Sequence, residues 1–156
     1  EKYSTIVVDE IKKRGLQENV NYVGLIKKRS DLLKECSKAD VGLSFNGKTT
    51  IKGYPPPEFR NETGSQRPFE YMGLGLVVLV SDLQEWEDFF VKDGYAYSCD
   101  SENSESIKQT LEYLYDNRDS LFEKGKRNRG KILTEWNYNI EFKKVEKYIE
   151  NPHDAI

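Results

Sequence analysis

The sequence predicts an α/β domain of Rossmann-like type, with a parallel sheet and helices on both of its faces. Short apolar runs rich in β-forming residues alternate with stretches of helical periodicity, which is typical of parallel strands joined by helical crossovers. The four runs that predict strands are residues 20–23, 41–45, 76–80 and 95–99. The third run is continuously apolar, as expected of a central strand that is buried on both sides.

The first fourteen residues permit two interpretations. The run Thr-Ile-Val-Val at residues 5–8 suits a strand. Tyr3, Val7 and Ile11 are spaced i, i+4 and i+8, and Gly15 follows them as a stop signal. This spacing favours a helix over the strand.

A further helix is predicted after the third strand. Asp82 and Glu85 resemble a capping box, and Trp86, Phe89 and Phe90 form an apolar stripe. We expect these three aromatic side chains to lie in the core and to cover the third strand. Beyond residue 104 the chain is predicted to be almost wholly helical.

The composition is that of one globular domain with a polar, well-hydrated surface. The 156 residues carry a net charge of −3, which argues against nucleic acid as a partner. The basic run at residues 124–129 is interpreted as a solvated helix face. Cys36 and Cys99 have no metal-binding spacing and fit a reduced, cytoplasmic compartment. No apolar run approaches the roughly 18–20 residues that span a bilayer.

The long segment at residues 46–64 breaks the alternation. It has no periodicity and contains three consecutive prolines. A loop of this length in a compact domain is often functional. Because it follows a predicted strand, it is expected at the carboxyl ends of the strands, where open α/β sheets bind their ligands.

A helix is predicted to begin where this segment ends. Pro68 is tolerated in a first helical turn, and Gly64 lets the backbone approach a ligand closely. The free N–H groups of such a helix start, with Arg67 beside them, suit a phosphate group. Glu70 follows in the next turn, where its carboxylate can accept two hydrogen bonds from a vicinal diol such as a ribose.

The run Phe-Glu-Tyr-Met-Gly-Leu-Gly-Leu-Val-Val-Leu-Val-Ser-Asp at residues 69–82 resembles the signature of GT-B glycosyltransferases, family 4-like (glycosyl transferases group 1). Glu62 and Glu70 match the E-x7-E motif of that family. Val77 stands where the family usually has proline, and Gly73 where it usually has alanine. The sequence Thr-Gly-Ser after Glu62 replaces the more usual Gly-Phe-Gly, so Glu62 matches less closely than Glu70.

Further motifs extend the resemblance over roughly residues 5–150, in the family's order. They are Asn-Val-Asn-Tyr-Val-Gly at 19–24, Ala-Asp-Val-Gly-Leu-Ser at 39–44, Val-Lys-Asp-Gly at 91–94 and Trp136. The resemblance implies that residues 1–156 form part of the C-terminal, donor-binding domain of a GT-B fold. The first strand and helix of that domain, with their phosphate-binding arginine and lysine, and the N-terminal acceptor domain are then expected to lie outside this chain.

The resemblance also implies a set of site residues. Glu62 would bind sugar hydroxyls of the donor and is the candidate catalytic residue, and Glu70 would bind the ribose. The diphosphate would face Gly64, Ser65, Gln66 and Arg67, and the base would lie beside Gly24, Leu25 and Ile26. Such enzymes usually need no metal or other cofactor.

The function implied is transfer of a sugar from a nucleoside-diphosphate sugar to a glycan or lipid-linked acceptor, with retention of configuration. The enzyme is expected in the cytoplasm or at the inner face of the membrane, in peripheral association with it, and in polysaccharide biosynthesis. The isolated chain is expected to be inactive. Two alternatives stay open: a GT-B epimerase or phosphorylase, and a non-catalytic domain that binds nucleotide sugars or a partner. His153, in the tail, is not a candidate base.

Overall fold

The computed structural model describes residues 2–47 and 65–150, which form two compact units that divide after Glu35. The described helices are α1 (Lys2–Lys13), α2 (Arg29–Cys36), α3 (Gln66–Gly73), α4 (Gln84–Trp86), α5 (Ser104–Asp116), α6 (Arg118–Thr134) and α7 (Tyr138–Glu150), with a π-helical turn at Glu87–Val91. The strands are β1 (Val41–Ser44), β2 (Val77–Ser81) and β3 (Ala96–Cys99).

The first unit contains α1, which confirms the helical interpretation of the amino-terminal residues. The predicted strand at residues 20–23 is wrong, because this segment is irregular in the structure. Val20, Tyr22 and Val23 are between 41% and 54% exposed, and the Tyr22 hydroxyl donates to Ser4 Oγ at 3.0 Å. A strand exists only with a neighbour that completes its hydrogen bonds, and β-forming residues alone do not supply one.

The second unit is built on a parallel three-stranded sheet in the order β1–β2–β3. Val41 lies opposite Val77, and Val78 lies opposite Ala96. All three strands therefore end at one edge of the sheet, which we call the carboxyl edge, and begin at the other, the amino edge. The strands predicted at residues 41–45, 76–80 and 95–99 are confirmed to within one residue.

The core lies on both faces of β2, whose five residues are all buried. Its side chains alternate between two clusters. One contains Met72, Val78, Val80, Trp86, Phe90 and Ala96, and the other contains Val77, Leu79, Cys99, Leu114 and Leu121. Helices α3 and α4 supply the first cluster, and α5 and α6 supply the second. The predicted Rossmann-like arrangement, with helices on both faces of a parallel sheet, is confirmed.

The helix after β2 differs from its prediction in two ways. The capping box is wrong: Leu83 is the N-cap residue, without a side-chain capping bond, because Asp82 still belongs to the sheet edge and its N–H donates to Cys99 O. Trp86 and Phe90 are fully buried as expected, but Phe89 is 37% exposed and stacks on Trp136. Both phenylalanines lie in the π-helical turn, where neighbouring side chains point in different directions, and Phe90 is the one that faces the sheet.

Helix α6 packs directly on the turn that leads into β2. A Cβ atom on Gly125 would overlap the carbonyl oxygen of Gly75, so only glycine permits this approach. The fully buried Asn128 donates its amide hydrogens to Leu76 O at 3.2 Å and to Tyr95 O at 2.9 Å. These two carbonyls precede β2 and β3, so α6 fixes both strands at the amino edge.

The basic run of α6 is only partly the solvated face that was predicted. Lys126 and Arg129 are exposed. Lys124 is half-buried, with its ammonium group 3.9 Å from the centre of the Tyr97 ring, and burial followed by the charge of Arg127 lowers its pKa. Arg127 is exposed, but it lies over the Tyr95 ring. Part of the basic run therefore packs on two aromatic rings: that of Tyr97 in β3 and that of Tyr95, which directly precedes β3.

Candidate functional site

The carboxyl edge of the sheet is lined by polar residues from three elements. Asn46 follows β1, Ser81 ends β2, and Ser101 follows β3. The chain from residue 48 to residue 64 lies outside the described residues. The predicted site residues Glu62 and Gly64 fall in it, so nothing is known of their placement.

Three residues at this edge form a closed hydrogen-bonded ring. The Asn46 N–H donates to Ser81 Oγ at 2.9 Å, Ser81 Oγ lies 2.9 Å from Ser101 Oγ, and Ser101 Oγ lies 3.1 Å from Asn46 O. Each serine has a single hydroxyl hydrogen. Ser81 Oγ also lies 2.9 Å from Asn46 O, so the Ser81 hydrogen has two acceptors in reach, Asn46 O and Ser101 Oγ. When Ser81 donates to Ser101, Ser101 donates to Asn46 O. The ring therefore fixes the ends of all three strands relative to one another.

The start of α3 is held against the same edge by Arg67. Its Nη2 atom donates to Asn46 Oδ1 at 2.7 Å and lies 3.5 Å from Phe45 O. Asn46, which is a member of the hydrogen-bonded ring, thus connects that ring to the first turn of α3. This arrangement places the guanidinium of Arg67 at the carboxyl edge, where the sequence predicted a group that binds phosphate.

The backbone N–H groups in the first turn of α3 are not capped by the side chain of the N-cap residue. Ser65 occupies the N-cap position with an extended backbone, and its hydroxyl makes no capping bond. Gln66 is exposed, and the buried Pro68 has no N–H to satisfy. The helix start predicted before Pro68 is confirmed. Its N–H groups carry partial positive charge, which favours an anion.

Glu70 lies in the second turn of α3 and is half-buried. The next residue, Tyr71, packs its ring on Gly42 of β1 and so seats the helix on the sheet. Burial raises the pKa of Tyr71, the charges of Cys36 and Glu70 add to this, and Arg67 opposes it. The two charged residues of the helix start, Arg67 and Glu70, thus lie near one ring.

The residues predicted to lie beside the base belong to the first unit. Gly24 has φ +68°, a left-handed conformation that other residues rarely adopt. It turns the chain so that Leu25 is 85% exposed, while Ile26 is half-buried. An exposed leucine beside a tight turn offers an apolar surface to a flat ring.

Sequence reasoning missed Asn46, Ser81 and Ser101. The available signal was positional, since each is a small polar residue at the end of an apolar strand or just beyond it. Among the residues that the structure describes, no group of three or more His, Cys, Asp and Glu side chains is arranged to hold a metal ion. In the same part of the chain, no helix is long and apolar enough to cross a membrane.

The fold and the site define a class: α/β domains with a parallel sheet, covered on both faces, whose carboxyl edge presents a helix start and polar side chains to a ligand. The family model described as glycosyl transferase-like matches residues 7–152, and the chain belongs to that family. This match confirms the glycosyltransferase resemblance of the sequence, and with it a transferase of glycosyl groups. No curated protein and no solved structure gave a significant match.

Proposed function

We propose that the carboxyl edge of this domain binds a nucleoside-diphosphate sugar, as the donor for transfer to a glycan or lipid-linked acceptor. The observation that carries the proposal is the position of Arg67. It lies in the first turn of α3 and is held 2.7 Å from Asn46 at the end of β1. A cation and a helix start then face one point at the edge where parallel α/β sheets bind ligands.

The diphosphate is the part of the donor that this geometry fits best. The backbone N–H groups at Ser65, Gln66 and Arg67 are oriented by α3 and need no rearrangement to meet an anion. Arg67 has five N–H donors, so a bond to Asn46 leaves others for phosphate oxygens. Neutralisation of a leaving diphosphate by a helix start and a cation needs no metal or other cofactor.

The family motifs in this sequence assign the other parts of the donor to further residues. Glu70 accepts the ribose hydroxyls, and Glu62 binds the sugar and acts in catalysis. Gly24, Leu25 and Ile26 contact the base, for which the exposed Leu25 supplies apolar surface. These roles, and a retaining reaction, rest on the family motifs that these residues match.

In this proposed role the chain is the donor-binding part of a larger, two-domain enzyme of polysaccharide biosynthesis. The acceptor is then held by another domain, and transfer needs both substrates in one geometry. The chain by itself therefore binds nucleotide without transferring sugar. The full enzyme works on cytoplasmic nucleotide sugars and associates peripherally with the inner face of the membrane when its acceptor is a lipid.

The test is a titration of the chain with UDP, GDP and ADP, followed by backbone NMR. Without the expected additional phosphate-binding cations, the dissociation constant should lie in the high micromolar to millimolar range, about −4 to −6 kcal/mol. Shifts should cluster at residues 24–26 and 65–70, with one base preferred. Shifts confined to residues 124–129 would place the phosphate elsewhere and contradict the proposal.

The alternatives are separated by turnover of the full-length protein. A transferase consumes the nucleotide sugar only when an acceptor is present, and releases the nucleoside diphosphate. An epimerase interconverts the sugar without an acceptor, and a phosphorylase requires inorganic phosphate. A binding domain shows the same NMR shifts and no turnover under any of these conditions.

A further inference from the structure

A cavity lies at the amino edge of the sheet, the edge opposite the proposed donor site. Its volume is about 540 Å³. Asp40 and Leu76, the residues just before β1 and β2, line it, as does the first turn of α6. Because the strands are parallel, this cavity and the carboxyl edge are separated by the length of the sheet.

The lining of this cavity combines apolar, aromatic and charged side chains. Its principal lining residues are Asp40, Leu74, Arg118, Asp119, Leu121 and Phe122. Phe122 is 75% exposed, whereas the rings of Phe69, Phe90 and Trp136 pack closely on one another. The Phe122 ring therefore lies at the margin of the cavity. Among the described residues, no protein group covers this ring.

The charged groups are oriented by one another. Arg118 Nη2 bonds to Asp40 Oδ2 at 2.8 Å, which joins the start of α6 to the start of β1. This contact leaves Asp40 Oδ1 and the remaining guanidinium hydrogens for other partners. Among the described residues, none bonds to the Asp119 carboxylate. The cavity thus presents acceptors and donors beside one another.

The net charge of the cavity selects against anions. Two carboxylates, Asp40 and Asp119, face a single cation, Arg118, and that cation is already paired. A nucleotide phosphate would meet a net negative site, in contrast to the helix start of α3. The ligand that fits is neutral, carries many hydroxyl groups and has one apolar face. A pyranose ring has these properties, since its axial C–H groups stack on an aromatic ring while its hydroxyls bond to carboxylates and guanidinium.

We propose that this cavity is a saccharide-binding site, in which a sugar ring stacks on Phe122 and its hydroxyls bond to Asp119, Asp40 and Arg118. The site is distinct from the proposed donor site and does not depend on it. It would hold a neutral sugar unit of a glycan, or a free sugar, away from the carboxyl edge. The floor of the cavity is fixed, because Gly75, which lines it, is in contact with the buried Gly125 of α6.

The experiment is an NMR titration of the chain with glucose, maltose, cellobiose and N,N′-diacetylchitobiose. Saturable shifts are expected at Asp40, at residues 74–76 and at residues 118–122, and they should be unchanged when UDP is present. Tighter binding of a disaccharide than of glucose would identify a glycan chain as the source of the ligand. Equal binding of glucose would identify free sugar.

Two aromatic variants make the test specific. Phe122→Ala should weaken saccharide binding by about tenfold or more, because it removes the stacking surface. Tyr138→Ala is the matched control: Tyr138 is 74% exposed on α7 and lies outside this cavity, so affinity should not change. Both rings are mostly exposed, so both variants are expected to fold, and thermal unfolding checks this.

A carboxylate variant tests the hydrogen-bonding half of the site. Asp119→Asn should weaken binding while retaining the fold, because the amide keeps the shape but replaces one acceptor with donors. The proposal is overturned when none of the four sugars gives saturable shifts, or when the shifts fall at residues 65–70. It is also overturned when Phe122→Ala binds as the wild type does. The proposed donor site is tested separately, by the nucleotide titration, so failure of the saccharide site leaves that proposal standing.

Discussion

The two edges of the sheet are built from different interactions. At the amino edge, α6 packs directly on backbone: Gly125 lies on Gly75, and the buried side-chain amide of Asn128 bonds to two carbonyls that precede strands. At the carboxyl edge, side chains connect the ends of the strands through the ring of Asn46 and two serines. Contacts between fixed backbones cannot be rearranged cheaply, whereas polar side chains can exchange partners. Stability is therefore expected to depend on the amino edge, and nucleotide binding on the carboxyl edge.

The largest effect is expected from Gly125→Ala at the amino edge. The new methyl group would overlap the carbonyl oxygen of Gly75, and a backbone atom cannot move aside as a side chain does. We expect a loss of about 3–5 kcal/mol in the free energy of unfolding, measured in urea.

Gly130→Ala is the control for this variant, since it lies in the same helix and a Cβ there meets nothing within 4 Å. It should raise stability by up to about 1 kcal/mol, as alanine favours a helix. Similar losses in the two variants would show that helix propensity, and not the contact with Gly75, determines the result.

A smaller loss is expected from Asn128→Ala. This change removes two buried hydrogen bonds and leaves the carbonyl oxygens of Leu76 and Tyr95 without those donors. The cost should be about 2–3 kcal/mol in thermal or urea unfolding. Asn139→Ala, at an exposed position of α7, should change stability by less than about 0.5 kcal/mol. If Asn128→Ala lost no more stability than Asn139→Ala, the claim that stability depends on the amino edge would be contradicted.

Ser81→Ala tests the carboxyl edge and should cost less, about 1–2 kcal/mol. The Asn46 N–H loses its acceptor, but Asn46 lies close to solvent and water can replace it. Ser98→Ala, in β3, is the matched control because no hydrogen bond of its hydroxyl is described. If Ser81→Ala lost more stability than Gly125→Ala, stability would depend on the carboxyl edge and not on the amino edge.

The fold was largely predictable because its strands carry strong local signals. The run from Val77 to Val80 is apolar throughout, and only a strand buried on both faces matches so short a run. Residues 20–23 carry a similar local signal, yet no strand forms there. Whether these residues form a strand depends on pairing with a neighbouring strand. The sequence of residues 20–23 does not contain that information.

The site was predictable only in part. The helix start with Arg67 and Glu70 could be found because Pro68 and the family motif mark it in the sequence. The ring of Asn46, Ser81 and Ser101 could not, since its members are up to 55 positions apart and meet only when the strands align. The exposure of Phe89 was missed for a related reason: the π-helical turn decides which of two adjacent rings faces the sheet.

The central claim is that Arg67 and Glu70 hold the nucleotide at the carboxyl edge. The most direct measurement compares affinities for the preferred nucleoside diphosphate in Arg67→Ala and Glu70→Ala with those in two exposed controls on α6, Arg129→Ala and Glu123→Ala. Loss of a charged hydrogen bond is worth roughly 1.5–3 kcal/mol, so each site variant should bind about 10- to 150-fold more weakly while the controls bind as the wild type does. Equal affinity in all four folded variants and the wild type would contradict the claim.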